Sequence, residues 1–133
     1  MIHWFMEPFN RFFEFNGRSR RREFWTYTLG LMLLVAFFIL MEIVTGGEPL
    51  IIEFWDRAII ALAIFTFIPS LAVSVRRLHD QDRSGWWLLL ALIPLLGGLG
   101  LLVMMGLAGT TGPNRFGEDP KRVVAADVQE TFD

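Results

Sequence analysis

The chain has 133 residues, the length of one domain. Apolar residues make up 53% and charged residues 20%, with a net charge of −2 and a mean hydropathy of +0.45. Soluble domains usually carry about a quarter charged residues, so this composition points to a membrane. It excludes a chain that is disordered throughout, and the lack of a basic excess argues against nucleic-acid binding. Cysteine is absent, which excludes disulfides, thiolate metal sites and cysteine nucleophiles.

In chain order, residues 1–17 are predicted to form an amphipathic interfacial helix. His3, Glu7, Asn10 and Glu14 recur on one helical face, and Phe5, Phe9, Phe12 and Phe13 lie largely off it. Pro8 suits a first helical turn and Gly17 a helix end. Two placements fit this segment: flat on the inner leaflet, or packed against the mouth of the helical bundle. Ser19 is the expected N-cap of the next helix, and Glu48-Pro49 resembles another helix start.

Residues 18–108 are predicted to be an all-α membrane domain of three transmembrane helices, over about 24–44, 58–75 and 86–108. The uncharged runs behind them are Phe24–Met41, Ala58–Val75 and Trp86–Ala108. Each falls in the range of about 17–25 residues that spans a bilayer as a helix. Trp25, Trp55, Trp86 and Trp87 stand at run edges, the headgroup level that indole prefers. The first run is too long for a signal-peptide core and lacks a small-x-small cleavage site. Pro94, Gly97, Gly98 and Gly100 interrupt the third run. A re-entrant segment is the alternative there, but a full span is expected because twenty-three residues are too few for two passes. Residues 109–133 are expected to be a polar tail, turn-rich to residue 120 and frayed from 121 onward.

Arg11, Arg18, Arg20, Arg21 and Arg22 precede the first run, Arg57 alone lies in the first loop, and Arg76, Arg77 and Arg83 lie in the second. The positive-inside rule therefore puts the N-terminus and second loop in the cytoplasm. Arg115, Lys121 and Arg122 in the tail conflict with the external side that three full spans require.

The candidate site is the set of charged motifs at the membrane boundary: Arg18, Arg21, Glu23, Arg76, Arg77, His79, Asp80, Arg83, Asn114 and Arg115. Guanidinium groups at that level bind lipid phosphates as planar forks, serve as simple anchors, or form ion pairs. Thr66, Ser70, Ser74 and Arg77 follow 4, 4, 3 spacing, which turns Arg77 inward. An inward arginine needs a partner, and Glu23 is the carboxylate at the same level, so Glu23 is expected to pair with Arg77 or Arg76. His79-Asp80 lacks a metal-ligand spacing on a helix and reads as a solvated loop. No cofactor, metal or catalytic motif is visible.

Three blocks carry a family resemblance: Phe15-Asn16-Gly17-Arg18 to Trp25, Pro69 through Arg76-Arg77-Leu78-His79-Asp80 to Trp87, and Gly112-Pro113-Asn114-Arg115-Phe116-Gly117 to Asp119-Pro120. Over about residues 1–120 the chain resembles domain of unknown function 805, the bacterial family of YhaH-like inner membrane proteins. The resemblance implies a multi-spanning inner-membrane protein and brings no reaction, substrate or cofactor.

The expected role is non-enzymatic, by contact with lipid, including anionic headgroups, or with a membrane-protein partner or second copy. Binding is expected to run through Arg76 and Arg77. The alternatives are an oligomeric transporter or channel with Ser70 and Ser74 on a shared axis, and an inner-leaflet enzyme using His79 and Asp80. All three polar blocks can meet in one patch only if the tail is cytoplasmic.

Overall fold

The computed structural model describes residues 2–46 and 48–122. The tail beyond Arg122, expected to fray, lies outside the described residues. The elements are α1 (Ile2–Asn10), α2 (Arg21–Val44), α3 (Pro49–Asp80), a 3₁₀ helix (Gly85–Leu92) and α4 (Leu96–Gly106). No strand occurs among the described residues; one isolated bridge pairs Asn114 with Gly117.

α2 and α3 form an antiparallel hairpin joined by a short turn. At 1.5 Å per residue they measure about 36 and 48 Å, against a hydrocarbon core of about 30 Å. Glu23 meets Arg76, Tyr27 meets Ser70, and Phe38 meets Trp55, so the pair stays in register along its length. α3 starts with Pro49 in its first turn, as the Glu48-Pro49 signal indicates. Little of either apolar stretch is covered by protein, 6% of the α2 window and 22% of the α3 window. Leu33, Ile43, Ile60, Ile64 and Phe67 all point outward. An apolar surface of that extent fits hydrocarbon rather than water.

α1 lies across the α2–α3 pair. Phe9 contacts Tyr27 at 5.5 Å and Phe65 at 5.9 Å between ring centroids, and Phe12 contacts Phe65 at 5.8 Å. Phe5 covers Gly30, where any β-carbon would overlap its ring. Of the two placements open to this segment, packing against the bundle accounts for most of its aromatic face. The helix is shorter than expected: it ends at Asn10, Pro8 sits buried in its last turn rather than its first, and Gly17 serves a turn at φ +86°.

The third apolar run is not the unbroken helix expected over 86–108. Ser84 caps the 3₁₀ helix by accepting from the Trp86 N–H at 3.3 Å. The chain then turns at Ile93-Pro94-Leu95, with Leu95 at φ +61°, and returns as α4. Gly97 sits against the Leu90 carbonyl, where a β-carbon would collide with backbone. Both ends of this hairpin lie at the same end of α3. The Thr110 N–H donates to the Asp80 carbonyl at 2.8 Å, and Arg77 Nε donates to the Met105 carbonyl at 3.1 Å. At about 2.0 Å and 1.5 Å rise per residue the two arms measure about 16 Å each. Twenty-three residues are indeed too few for two full passes, but they suffice for two half passes.

Gly97→Ala is therefore expected to lower the unfolding temperature in detergent by several degrees. Gly98→Ala, which meets nothing within 4 Å, is expected to leave it unchanged or slightly raised. Equal shifts in a thermal-unfolding comparison would remove the close-approach explanation.

Candidate functional site

Charged and polar side chains are buried as completely as Leu78 and Ala72. Arg76, Arg77 and Ser19 are essentially inaccessible, and Arg18, Glu23, His79 and Asp80 are buried with them. All belong to one end of the bundle, where the segment before α2, the last turns of α3 and the segment after α4 converge.

Asp80 is the hub. Its Oδ1 accepts from Arg18 Nε at 3.0 Å, and its Oδ2 accepts from Arg77 Nη1. Its backbone carbonyl accepts from the Thr110 N–H. Gly109 packs directly on the carboxylate, leaving no room for a β-carbon. The two guanidiniums have different second tasks. Arg18 Nη1 and Nη2 donate to the Gly112 and Thr110 carbonyls, each at 2.6 Å, which ties the tail to the start of α2. Arg77 donates to the Met105 and Leu107 carbonyls, which lie at the end of α4 where helix carbonyls lack intrahelical donors. Gln81 Nε2 donates to the Met104 carbonyl beside them.

Glu23 pairs with Arg76 at 3.0 Å, one of the two pairings expected; Arg77 takes Asp80 instead. The small-residue face on α3 is used inside the bundle. The Tyr27 hydroxyl lies 3.0 Å from Ser70 Oγ, and Ser74 Oγ donates to the Ser70 carbonyl at 2.7 Å. Ser19 does not cap α2, which has Arg20 in that position and no side-chain cap. Its backbone serves instead: the Ser19 N–H donates to the Arg76 carbonyl at 3.1 Å and its carbonyl accepts from Arg77.

His79 is not the solvated loop residue expected. It lies in the last turn of α3, stacked on Phe116 with centroids 3.8 Å apart and planes 3° from parallel. Its Nδ1 is 3.2 Å from the Gly17 carbonyl, an acceptor that requires the proton on Nδ1. Asn114 Nδ2 donates to the His79 carbonyl at 2.9 Å, and its Oδ1 accepts from the Phe116 N–H at 2.9 Å. Asp119 closes the tail turn by accepting from the Lys121 and Gly112 N–H groups, which hold its carboxyl below the ordinary carboxylate range.

The remaining expected residues sit at the periphery. Arg115 pairs with Asp82 at 3.0 Å on the surface. Arg83 lies over the Trp87 ring, 5.2 Å from its centroid. Arg21 is exposed beside Arg20, Arg22 and Lys121, which line a cavity of about 470 Å³. Sequence reasoning did not single out Thr110, Gly109, Phe116 or Lys121, since only the tail's return brings them to the hub. Arg76 and Arg77 bind inside the protein, so they are not the surface through which a lipid or partner is met.

A sequence family described as Protein of unknown function (DUF805) matches residues 12–118. The chain belongs to this family. Similar DUF805 relatives in Escherichia coli K12 are the inner membrane protein YhaI, 39% identical over 90% of this chain and 97% of its own, and the inner membrane protein YhaH, 38% identical over 90% and 98%. YiiR from the same organism, described as uncharacterized, is 32% identical over 84% and 88%. No solved structure matches. The family and its named relatives, with the two exposed apolar helices, make this DUF805 chain a membrane protein.

Removing one partner of a buried ion pair typically costs about 3–5 kcal/mol, against about 0–1 kcal/mol for a surface pair. Asp80→Asn is thus expected to abolish folding or lower the unfolding temperature sharply in micelles, and Asp82→Asn to change it little. A mild Asp80→Asn phenotype would mean that carbonyls alone hold the two arginines.

Proposed function

We propose that this chain is a non-enzymatic bacterial inner-membrane protein that works by contact of its cytoplasmic end with anionic lipid headgroups. In this reading α2 and α3 are the two spans, the 3₁₀–α4 hairpin is re-entrant, and both termini lie on the cytoplasmic side. Eleven of the twelve Lys and Arg residues stand at the end of the bundle that carries the hub, and Arg57 alone stands at the other. That asymmetry is what the positive-inside rule requires. Returning the tail to the cytoplasm also removes the conflict that three full spans create. The names of YhaI and YhaH support the inner membrane as the compartment.

The observation that carries the functional reading is how the arginines are divided. Arg18 and Arg77 are enclosed and met by Asp80 and carbonyls, and Arg76 is enclosed against Glu23 through Nη2, with its Nε and Nη1 unpartnered. Arg21 and Arg22 stay exposed at the level where α2 meets the bilayer, joined by Lys121 from the tail. Exposed basic groups there attract anionic headgroups by about 1 kcal/mol each. His79 and Asp80 are engaged in holding the segments together, which supports a non-catalytic role for both.

A reporter fused after the last residue is expected to read cytoplasmic, and one placed between α2 and α3 external; an external C-terminus would overturn the topology. Protein extracted in mild detergent is expected to retain phospholipid enriched in anionic species. A retained fraction with the same composition as the bulk membrane would overturn the lipid-contact reading.

A further inference from the structure

The tail turn, the start of α2 and the hub together border an open cavity of about 470 Å³, inside the range of about 300–1,000 Å³ typical of small-molecule sites. Its floor is Asp80 and Gly109, and its walls carry Arg20, Arg21, Arg22 and Lys121. The floor carboxylate adds no unmatched negative charge, because Arg18 and Arg77 already hold it. Arg20 donates to the Pro120 carbonyl, and that contact ties the tail wall to the α2 wall. Arg21, Arg22 and Lys121 form no ion pair with any carboxylate among the described residues. α2 also begins here without a side-chain cap on its first-turn N–H groups, whose partial positive charge adds to that of the side chains.

From this we propose that the cavity is a binding site for a phosphate-bearing anion, held by Arg21, Arg22 and Lys121. The inference rests on the lipid-contact reading and makes it specific, because it assigns recognition to one concave site built from two distant segments rather than to diffuse surface charge. Guanidinium forks match phosphate oxygens in pairs, and the lysine supplies a point charge opposite them. The site lies at the boundary level marked by Trp25, within reach of a phospholipid headgroup, and is also open to a soluble phosphate ester. Both sources present the same group to the same three side chains.

The test uses the full chain in phosphatidylcholine nanodiscs, titrated separately with short-chain phosphatidylglycerol and with glycerol 3-phosphate, with binding read by calorimetry. The comparison variant is R21Q with R22Q and K121Q; all three side chains are exposed, so its unfolding temperature without added ligand is expected to match the parent's. R57Q, at the other end of the bundle, controls for the loss of one basic charge away from the cavity, where the triple variant loses three. Saturable binding that weakens about tenfold or more in the triple variant and not in R57Q supports the site. Binding of the lipid alone assigns the site to headgroups, and binding of both compounds assigns it to phosphate esters in general. Failure of both compounds to bind, or equal affinity in the triple variant, overturns the site. Anionic lipid retained equally by parent and triple variant would leave the broader lipid-contact reading standing while removing this cavity from it.

Discussion

A single carboxylate, Asp80, shared by two buried guanidiniums, holds this molecule together. Burying an unpaired charge costs several kcal/mol, so each arginine in the cluster must find acceptors. Arg18 reaches Asp80 across 62 residues of chain and the Gly112 carbonyl across 94. Arg77 reaches the end of α4 across 28 residues and more. The segment before α2, the end of α3 and the tail are thereby drawn to one point. All three therefore lie at the same end of the bundle.

The medium explains why polar groups take this role. Between helices in lipid there is no hydrophobic driving force, since the acyl chains are as apolar as leucine. The outer faces of α2 and α3 are left to the lipid. What joins the helices is the Tyr27–Ser70 contact, the aromatic layer of Phe9, Tyr27 and Phe65, and the ion pairs at the end of the bundle that carries Asp80. Arg76 and Arg77 are buried as deeply as Leu78 and Ala72, while many leucines, isoleucines and phenylalanines are exposed.

The hairpin of residues 85–106 follows from the same accounting of donors and acceptors. An irregular backbone at membrane depth leaves polar groups unpaired unless protein encloses it, and the turn at the tip of this hairpin is exposed, so the irregular stretch is kept short. Here the irregular residues form the turn at Pro94-Leu95, and each arm keeps helical bonds of its own. Gly97 lets the arms approach by giving its β-carbon volume to the Leu90 carbonyl. The carbonyls at the end of α4 are then met by Arg77 of α3 and by Gln81 just after it.

The apolar runs, the aromatic edges and the crowding of arginine into a few blocks were legible along the chain, because run length is matched to hydrocarbon thickness and charge to one face of the membrane. The pairing of Glu23 with one of two adjacent arginines was legible too, since both helices start or end at that level. The choice of Arg76 over Arg77, the stacking of His79 on Phe116 and the return of the third run after Leu95 were not. Each depends on where the tail lies, and the tail's place depends on contacts between residues dozens of positions apart, which no periodicity or spacing records. Twenty-three uncharged residues are compatible with one full pass or two half passes, and local composition weighs them alike. What separates them is whether the far end finds the acceptors and donors that Arg18, Arg77 and Asp80 hold out at the near one.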